Sequence, residues 1–228
     1  MATEFTDYLV TCRSFAEYLA MFALDERQLA GMAILDCPAG AASFAADAGR
    51  WGAKVICADT AYSLQRSELF TVSAADSAKG NAYIVENPGN FTWSWFESPV
   101  DHMARRTSAH ETFRTHFAAA EGSYVCARLP HLPFADGTFG LTLSSHFLFT
   151  YADRLDEDFH YETLAELARV TSGDVRIFPL LSFEMARYPY LNDLRTRLDG
   201  LGISSEVRQV DYEFQQGADE MLVLSRYH

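Results

Sequence analysis

Two carboxylates stand at matching places in the chain. Asp36 closes the short apolar run Ala33-Ile-Leu35, and Asp59 closes the run Ala53-Lys-Val-Ile-Cys-Ala58, 23 residues further on. Between them, Cys37-Pro-Ala-Gly40 is a turn of small residues, followed by an alanine-rich stretch, Ala41 to Gly49, suited to a helix. A turn without bulk lets a ligand approach the backbone, and the N–H groups at a helix start favour its polar or anionic parts. An acid about 20 residues after such a turn is placed to accept from both hydroxyls of a ribose. A second set of reactive side chains follows the apolar run Phe139 to Leu143, in Ser144-Ser-His146 and on to Tyr151. Imidazole titrates near neutrality, so His146 can take a proton from a hydroxyl or an amine; equally, it can do no more than hydrogen-bond to structure or substrate.

The elements that position these groups follow from pattern. Apolar run, small turn, helix, apolar run is the layout of a nucleotide-binding βα unit. Ser123 to Arg128 predicts a third strand and Phe139 to Ser145 a fourth. A helix is expected from Asp153 or Asp156 to Thr171, closed by Gly173, and then a fifth strand, Asp174 to Phe178. Phe183 to Leu198 reads as mainly helical with a break at Pro189, and Glu206 to Phe214 and Glu220 to Ser225 as a closing hairpin. At the start, Tyr8, Cys12, Phe15, Leu19 and Phe22 recur every four and three residues, which predicts an amphipathic helix over 4–24. Such a helix either covers a pocket or packs on the sheet. Ligands in open α/β sheets bind beyond the carboxyl ends of the strands, where strand order reverses. That puts Ser145, His146 and Tyr151 near the turns after Asp36 and Asp59.

Together these pieces resemble the class I S-adenosylmethionine-dependent methyltransferases. The resemblance covers about residues 30–180. It is carried by Ile34-Leu-Asp-Cys-Pro-Ala-Gly40, by Val55-Ile-Cys-Ala-Asp59, by Leu132 to Ser145, and by Leu167-Ala-Arg-Val170 with Arg176-Ile-Phe178. It implies an α/β fold: a Rossmann-like doubly wound seven-stranded sheet with a C-terminal antiparallel hairpin and a helical, aromatic insertion after the second strand. It also implies S-adenosylmethionine as cofactor, touched by Asp36, Cys37, Pro38, Ala39, Gly40, Asp59, Thr60, Leu129 and Ser144, with His146 and Tyr151 as catalytic candidates. The chain departs from the family pattern at Pro38 and Ala42 in the loop, at Arg128, and at Gly140 where Asp is usual. Pro38 brings no N–H to the loop.

Residues 75–122 exceed an ordinary connection and read as an insertion with its own structure, the expected home of specificity. Phe91, Trp93 and Trp95 alternate, so an extended segment would put them on one face. They form either an aromatic wall for a planar substrate or a packed small core. His102, Arg105 and Arg106 fall at i, i+3 and i+4 of a helix expected from Val100 to Ala120. Arginine there either holds a substrate carboxylate or phosphate or pairs with surface acids. Trp93, Trp95, Arg105 and Arg106 are thus the candidate substrate contacts. The histidines lack a metal-binding spacing, so no metal is expected.

At 228 residues the chain is expected to form a single domain over 1–228, with 1–30 as a helical cover. A net charge of −13 argues against a nucleic-acid or anionic-membrane partner. The four cysteines are scattered, without C-x-x-C, as in a reduced cytoplasmic protein. No apolar run suits a membrane span or a signal peptide. A small-molecule substrate and a monomer or homodimer are expected. The function that follows is methyl transfer to a small acceptor by in-line displacement in a closed pocket. Two alternatives stay open: a cofactor-binding chain whose reaction is altered or lost, in a regulatory or partner role, and a nicotinamide-dependent oxidoreductase. The second lacks both Gly-x-Gly-x-x-Gly and Tyr-x-x-x-Lys.

Overall fold

The computed structural model describes residues 7–120 and 122–227. At the centre of its sheet lie β1 (Ala33–Asp36) and β4 (Phe139–Ser145), parallel neighbours that are largely buried on both faces. Ile34, Leu141 and Leu143 pack on Tyr18, Phe22 and Phe44. Leu35 packs on the opposite side with Leu164 and Leu167. β2 (Lys54–Ala58) joins β1 and β3 (Tyr124–Val125) joins β2, while β5 (Thr171–Phe178) joins β4, all parallel. β7 (Glu220–Arg226) runs antiparallel to both β5 and β6 (Ile203–Gln209). The order β3-β2-β1-β4-β5-β7-β6 is a doubly wound seven-stranded sheet with the predicted antiparallel C-terminal hairpin. Asp36 is in register with Cys57 and Leu143, so the ends of β1, β2 and β4 open on one edge, where the order reverses.

Helices flank the sheet. They are α1 (Phe15–Met21), α2 (Phe44–Arg50), α3 (Arg66–Glu86), α4 (Pro99–Ala119), α5 (Glu157–Arg169) and α6 (Leu191–Asp199). The expected insertion is the pair α3 and α4, and it opens earlier than residue 75, at Arg66. Ser98 caps α4 by accepting from Asp101 N–H, with Pro99 in the first turn, where its missing N–H costs nothing. Glu121, at the end of the expected insertion, lies outside the described residues, as do residues 4–6 of the expected leading helix.

Four expectations are corrected. The leading helix is only Phe15–Met21, opened by a Ser14–Glu17 capping box. Before it the backbone bonds sideways, not along a helix. Leu9 N–H donates to Tyr151 Oη at 2.8 Å and Val10 N–H to Asp76 Oδ2 at 2.9 Å. The Thr11 and Arg13 carbonyls accept from Ala41 and Ser43 N–H. Next, Gly173 does not close α5 but lies within β5. A Cβ on it would fall 2.2 Å from the Gly140 carbonyl oxygen, where the β4–β5 register shifts, so a side chain is excluded there. Then Phe183 to Tyr190 is turn, with Leu181 bridged to Arg187 and Tyr188 N–H bonded back to the Leu180 carbonyl; helix begins only at Leu191, after Pro189. Finally, β6 starts three residues before the expected Glu206 and ends at Gln209.

Candidate functional site

Two cavities meet at the sheet edge. The outer one lies beyond β1, β2 and β4, is about 1610 Å³ counting its mouth, and is bordered by Pro38, Gly40, Asp59, Thr60 and Leu129. The inner one, about 950 Å³ on the same measure, lies between α3, α4 and the loops around Phe183 and Phe214. Leu9, Thr11, Arg13, His146 and Tyr151 line both, and so form the boundary.

The loop after β1 is braced by the chain itself. Gly40 has φ +55°, and a Cβ there would meet the Thr11 carbonyl oxygen at 3.2 Å. Its N–H donates to Asp59 Oδ2 at 2.8 Å, and Ala61 N–H donates to Asp59 Oδ1 at 2.8 Å. Ala39 N–H goes to Ala58, Ala41 to Thr11, Ala42 to Ala39 and Ser43 to Arg13, each to a carbonyl. With Cys37 N–H on Leu143 and no N–H on Pro38, the loop from Cys37 to Ser43 keeps no free donor. Asp59 faces the outer cavity; burial pushes its carboxyl up, and the Ala61 and Gly40 amides oppose that.

Of the predicted cofactor contacts, Cys37, Pro38, Ala39, Gly40, Asp59, Thr60 and Leu129 line the outer cavity, and Asp36 and Ser144 do not. Asp36 is 1% exposed behind the loop. The Tyr18 hydroxyl donates to it at 3.1 and 3.2 Å, and burial pushes its carboxyl well above the usual range. Ser144 is buried within β4 beside Ile177. Its neighbour Ser145 is the serine that reaches the cavity.

His146 stands at the junction with φ +50°, an uncommon conformation for a residue with a side chain, and one that clusters at functional sites. Its N–H donates to the Phe178 carbonyl at 2.7 Å, and Nδ1 shares a hydrogen bond with Ser145 Oγ at 2.8 Å. Burial, then Arg13 and Arg106, push its imidazole well below its ordinary value, so it is neutral near pH 7. Tyr151 Oη accepts from Leu9 N–H, and burial pushes that hydroxyl up.

The expected substrate contacts separate. Arg106 lines the inner cavity but is buried in an ion pair with Glu17. Glu17 Oε2 also accepts from Ser14, and its Oε1 from the Tyr212 hydroxyl at 3.1 Å. Burial raises the Glu17 carboxyl, yet Arg106 and Arg13 bring it down to about 2. Arg105 points the other way, pairs with Asp101 and lies 5.3 Å over the Phe96 ring, outside both cavities. His102 lines the inner cavity with Arg106, and burial and that arginine push it down to about 3. Trp93 and Trp95 border neither cavity; they meet the Phe214 and Tyr212 rings edge-on at 5.6 and 5.0 Å. Thr92 ties that segment to the closing loop, donating to the Phe214 and Glu213 carbonyls. Only Phe91 of the alternating aromatics reaches the cavity.

Arg13 and Thr150 were not expected here. Both line the inner cavity, and Arg13 Nε and Thr150 Oγ1 are buried without a hydrogen-bond partner. Arg13 Nη1 donates to Thr11 Oγ1 at 2.8 Å, and no carboxylate lies within ion-pair distance of Arg13 among the described residues. The sequence offered one clue to Arg13, its place just before the Ser14-x-x-Glu17 capping box.

No protein-family model matches the chain. The uncharacterized protein MJ0045 of Methanocaldococcus jannaschii is 28% identical over 226 residues, covering 96% of this chain and 97% of that protein. The structure of magnesium protoporphyrin IX methyltransferase from Synechocystis PCC 6803, with bound SAM, is similar with a TM-score of 0.51 at 12% identity, over 93% of this chain and 78% of the other. Burkholderia thailandensis 1,6-didemethyltoxoflavin-N1-methyltransferase, with bound 1,6-didemethyltoxoflavin and S-adenosylhomocysteine, gives a TM-score of 0.50 at 15% identity, over 92% and 77%. With this likeness, the strand order and the terminal hairpin, the chain has the fold of the class I S-adenosylmethionine-dependent methyltransferases.

Proposed function

We propose that this chain transfers a methyl group from S-adenosylmethionine to a small-molecule acceptor held in the inner cavity. The observation that carries this reading is the junction of the two cavities at His146, Tyr151 and Arg13. It would bring the reactive end of one ligand against the other inside a largely apolar enclosure. The residues present fit the cofactor. Each Asp59 oxygen has one N–H partner and a second lone pair free for a ribose hydroxyl. Leu64 and Leu129 offer apolar surface to a purine. The bound SAM and S-adenosylhomocysteine in the two similar structures support the same assignment. The net charge of −13 favours a small acceptor over a polyanionic nucleic acid.

Bound there, the cofactor supplies a methyl group on a sulfonium, a donor that is already activated. What the chain adds is alignment in a water-poor cavity. His146, held neutral, offers a hydrogen bond to the acceptor in place of a strong base, and Tyr151 holds the Leu9 segment over the boundary.

Asp59→Ala tests the cofactor site. S-adenosylhomocysteine affinity, measured by calorimetry, should fall by about 1–3 kcal/mol. Unchanged affinity in the folded variant would sink the assignment. The engaged N–H groups of the loop favour a second reading, a chain that binds the cofactor without turning it over. Transfer of labelled methyl to any acceptor would discard that second reading.

A further inference from the structure

The inner cavity contains a charge imbalance. Arg13 and Arg106 line it, and among the described residues Glu17, behind Arg106, is the carboxylate paired with that arginine. That carboxylate already pairs with Arg106 and accepts from Ser14 and Tyr212. His102 and His146, held neutral, add nothing. Burial, then the neighbouring Arg106, push the Arg13 guanidinium down, and Glu17 opposes them. The Arg13 residue is half-buried, but its Nε is buried without a partner, and a buried polar atom left unpaired is costly, as is the buried Thr150 hydroxyl. Arg13 and Thr150 are therefore an incomplete set of polar groups whose missing members are acceptor oxygens. Around them the walls are flat and apolar, with Phe91, Phe178 and Phe214 facing the same space.

We infer that the inner cavity takes a flat, mostly apolar small molecule bearing one carboxylate, and that Arg13 and the Thr150 hydroxyl hold that carboxylate. The guest's charge completes the set: two cations, Glu17 and one further anion. Thr150 lines the inner cavity alone, which assigns the anion to that cavity's occupant and not to the ligand of the outer one. Arg106 is not the anchor, because Glu17 already occupies it. The inference rests on the methyl-transfer reading for what fills the outer cavity.

The test is a binding panel of aromatic and aliphatic monocarboxylates, each with its matched primary amide, read by calorimetry and ligand-observed NMR with and without saturating S-adenosylhomocysteine. At least one acid should bind about tenfold or more tighter than its amide, the worth of a charge-assisted pair. Arg13→Gln should reduce that preference to about twofold or less, and Arg13→Lys should keep part of it, because the charge remains. Thr150→Val, close in shape, should weaken the acid about threefold while leaving S-adenosylhomocysteine affinity unchanged. Circular dichroism and melting of each variant show that it is folded, and Arg13→Lys and Thr150→Val carry the test if Arg13→Gln does not fold. The inference is overturned if no acid binds, if acids and amides bind alike, or if the preference survives in folded Arg13→Gln. It is also overturned if Arg13→Gln weakens S-adenosylhomocysteine but not 5′-methylthioadenosine, which lacks the amino-acid end; Arg13 would then serve the outer ligand's carboxylate. Failure of S-adenosylhomocysteine to bind the wild type would remove the methyl-transfer reading alone, and the acid preference measured without it would still stand or fall by itself.

Discussion

Glu17 shows how much one buried side chain organises. It caps α1, receives Arg106 from α4 and accepts from Tyr212 near the closing hairpin. Glu17→Gln leaves Arg106 buried without a counter-ion, and urea unfolding should show a loss of about 3–5 kcal/mol. The pair also sets a pH dependence. Glu17 is held at about 2 and His102 at about 3, both below their ordinary values of 4.5 and 6.5. Between each folded and ordinary value the unfolded chain binds the proton and the folded chain does not, so stability falls with falling pH. Asp36 and Asp59, raised by burial, act in the opposite direction, so the check is the difference in melting temperature between wild type and Glu17→Gln, which should shrink as pH falls from 4.5 toward 2. A difference that does not change with pH would contradict the ion-pair description. At this scale the sequence was half legible. Asp59 and the small loop declared themselves by their spacing, because the turn geometry is local. The substrate residues did not. His102, Arg105 and Arg106 share a helical spacing, but only His102 and Arg106 turn inward, and which residues do so depends on where α4 lies against α1. For Arg13, the one local clue is its place just before the Ser14–Glu17 capping box; that its Nε is buried depends on residues far along the chain.

Among the elements, strand positions were the easiest to read and the edges of helices the hardest. β1, β2 and β4 are short, mainly apolar and mostly buried runs, and such runs are visible without tertiary knowledge. Residues 7–13 have a helical spacing and yet form no helix, because their N–H and C=O groups pair with Tyr151, Asp76 and the β1 loop. Long-range bonds of that kind override a weak periodic signal. Gly173 also read as a helix stop, and its real constraint is the backbone of β4 across the sheet. Two glycine substitutions separate the cases. Gly173→Ala should destabilise the fold by about 1–3 kcal/mol, as overpacking does. Gly49→Ala, on the exposed side of α2 with nothing within 4 Å, should stabilise it by about 0.5–1 kcal/mol. Equal effects on the unfolding midpoint would remove the bulge argument.

Taken as a molecule, the chain separates its tasks along the sheet edge. The ends of β1 and β2 border the outer cavity, while the α3–α4 pair and the loop before β7 enclose the inner one. The sheet order and hairpin were legible because each piece of the pattern stood in the right order and spacing. The inner cavity was not, since it is assembled from residues 9–13, 77–106, 146–151 and 178–218, which no local pattern joins. The claim that the outer cavity holds an adenosyl thioether is tested most directly by thermal shift, confirmed by calorimetry, with S-adenosylmethionine, S-adenosylhomocysteine, NAD and NADP. Stabilisation of about 2.7 kcal/mol at 100 times the dissociation constant is expected from the first two alone. Stabilisation by NAD or NADP, or no response to any of the four, would contradict it.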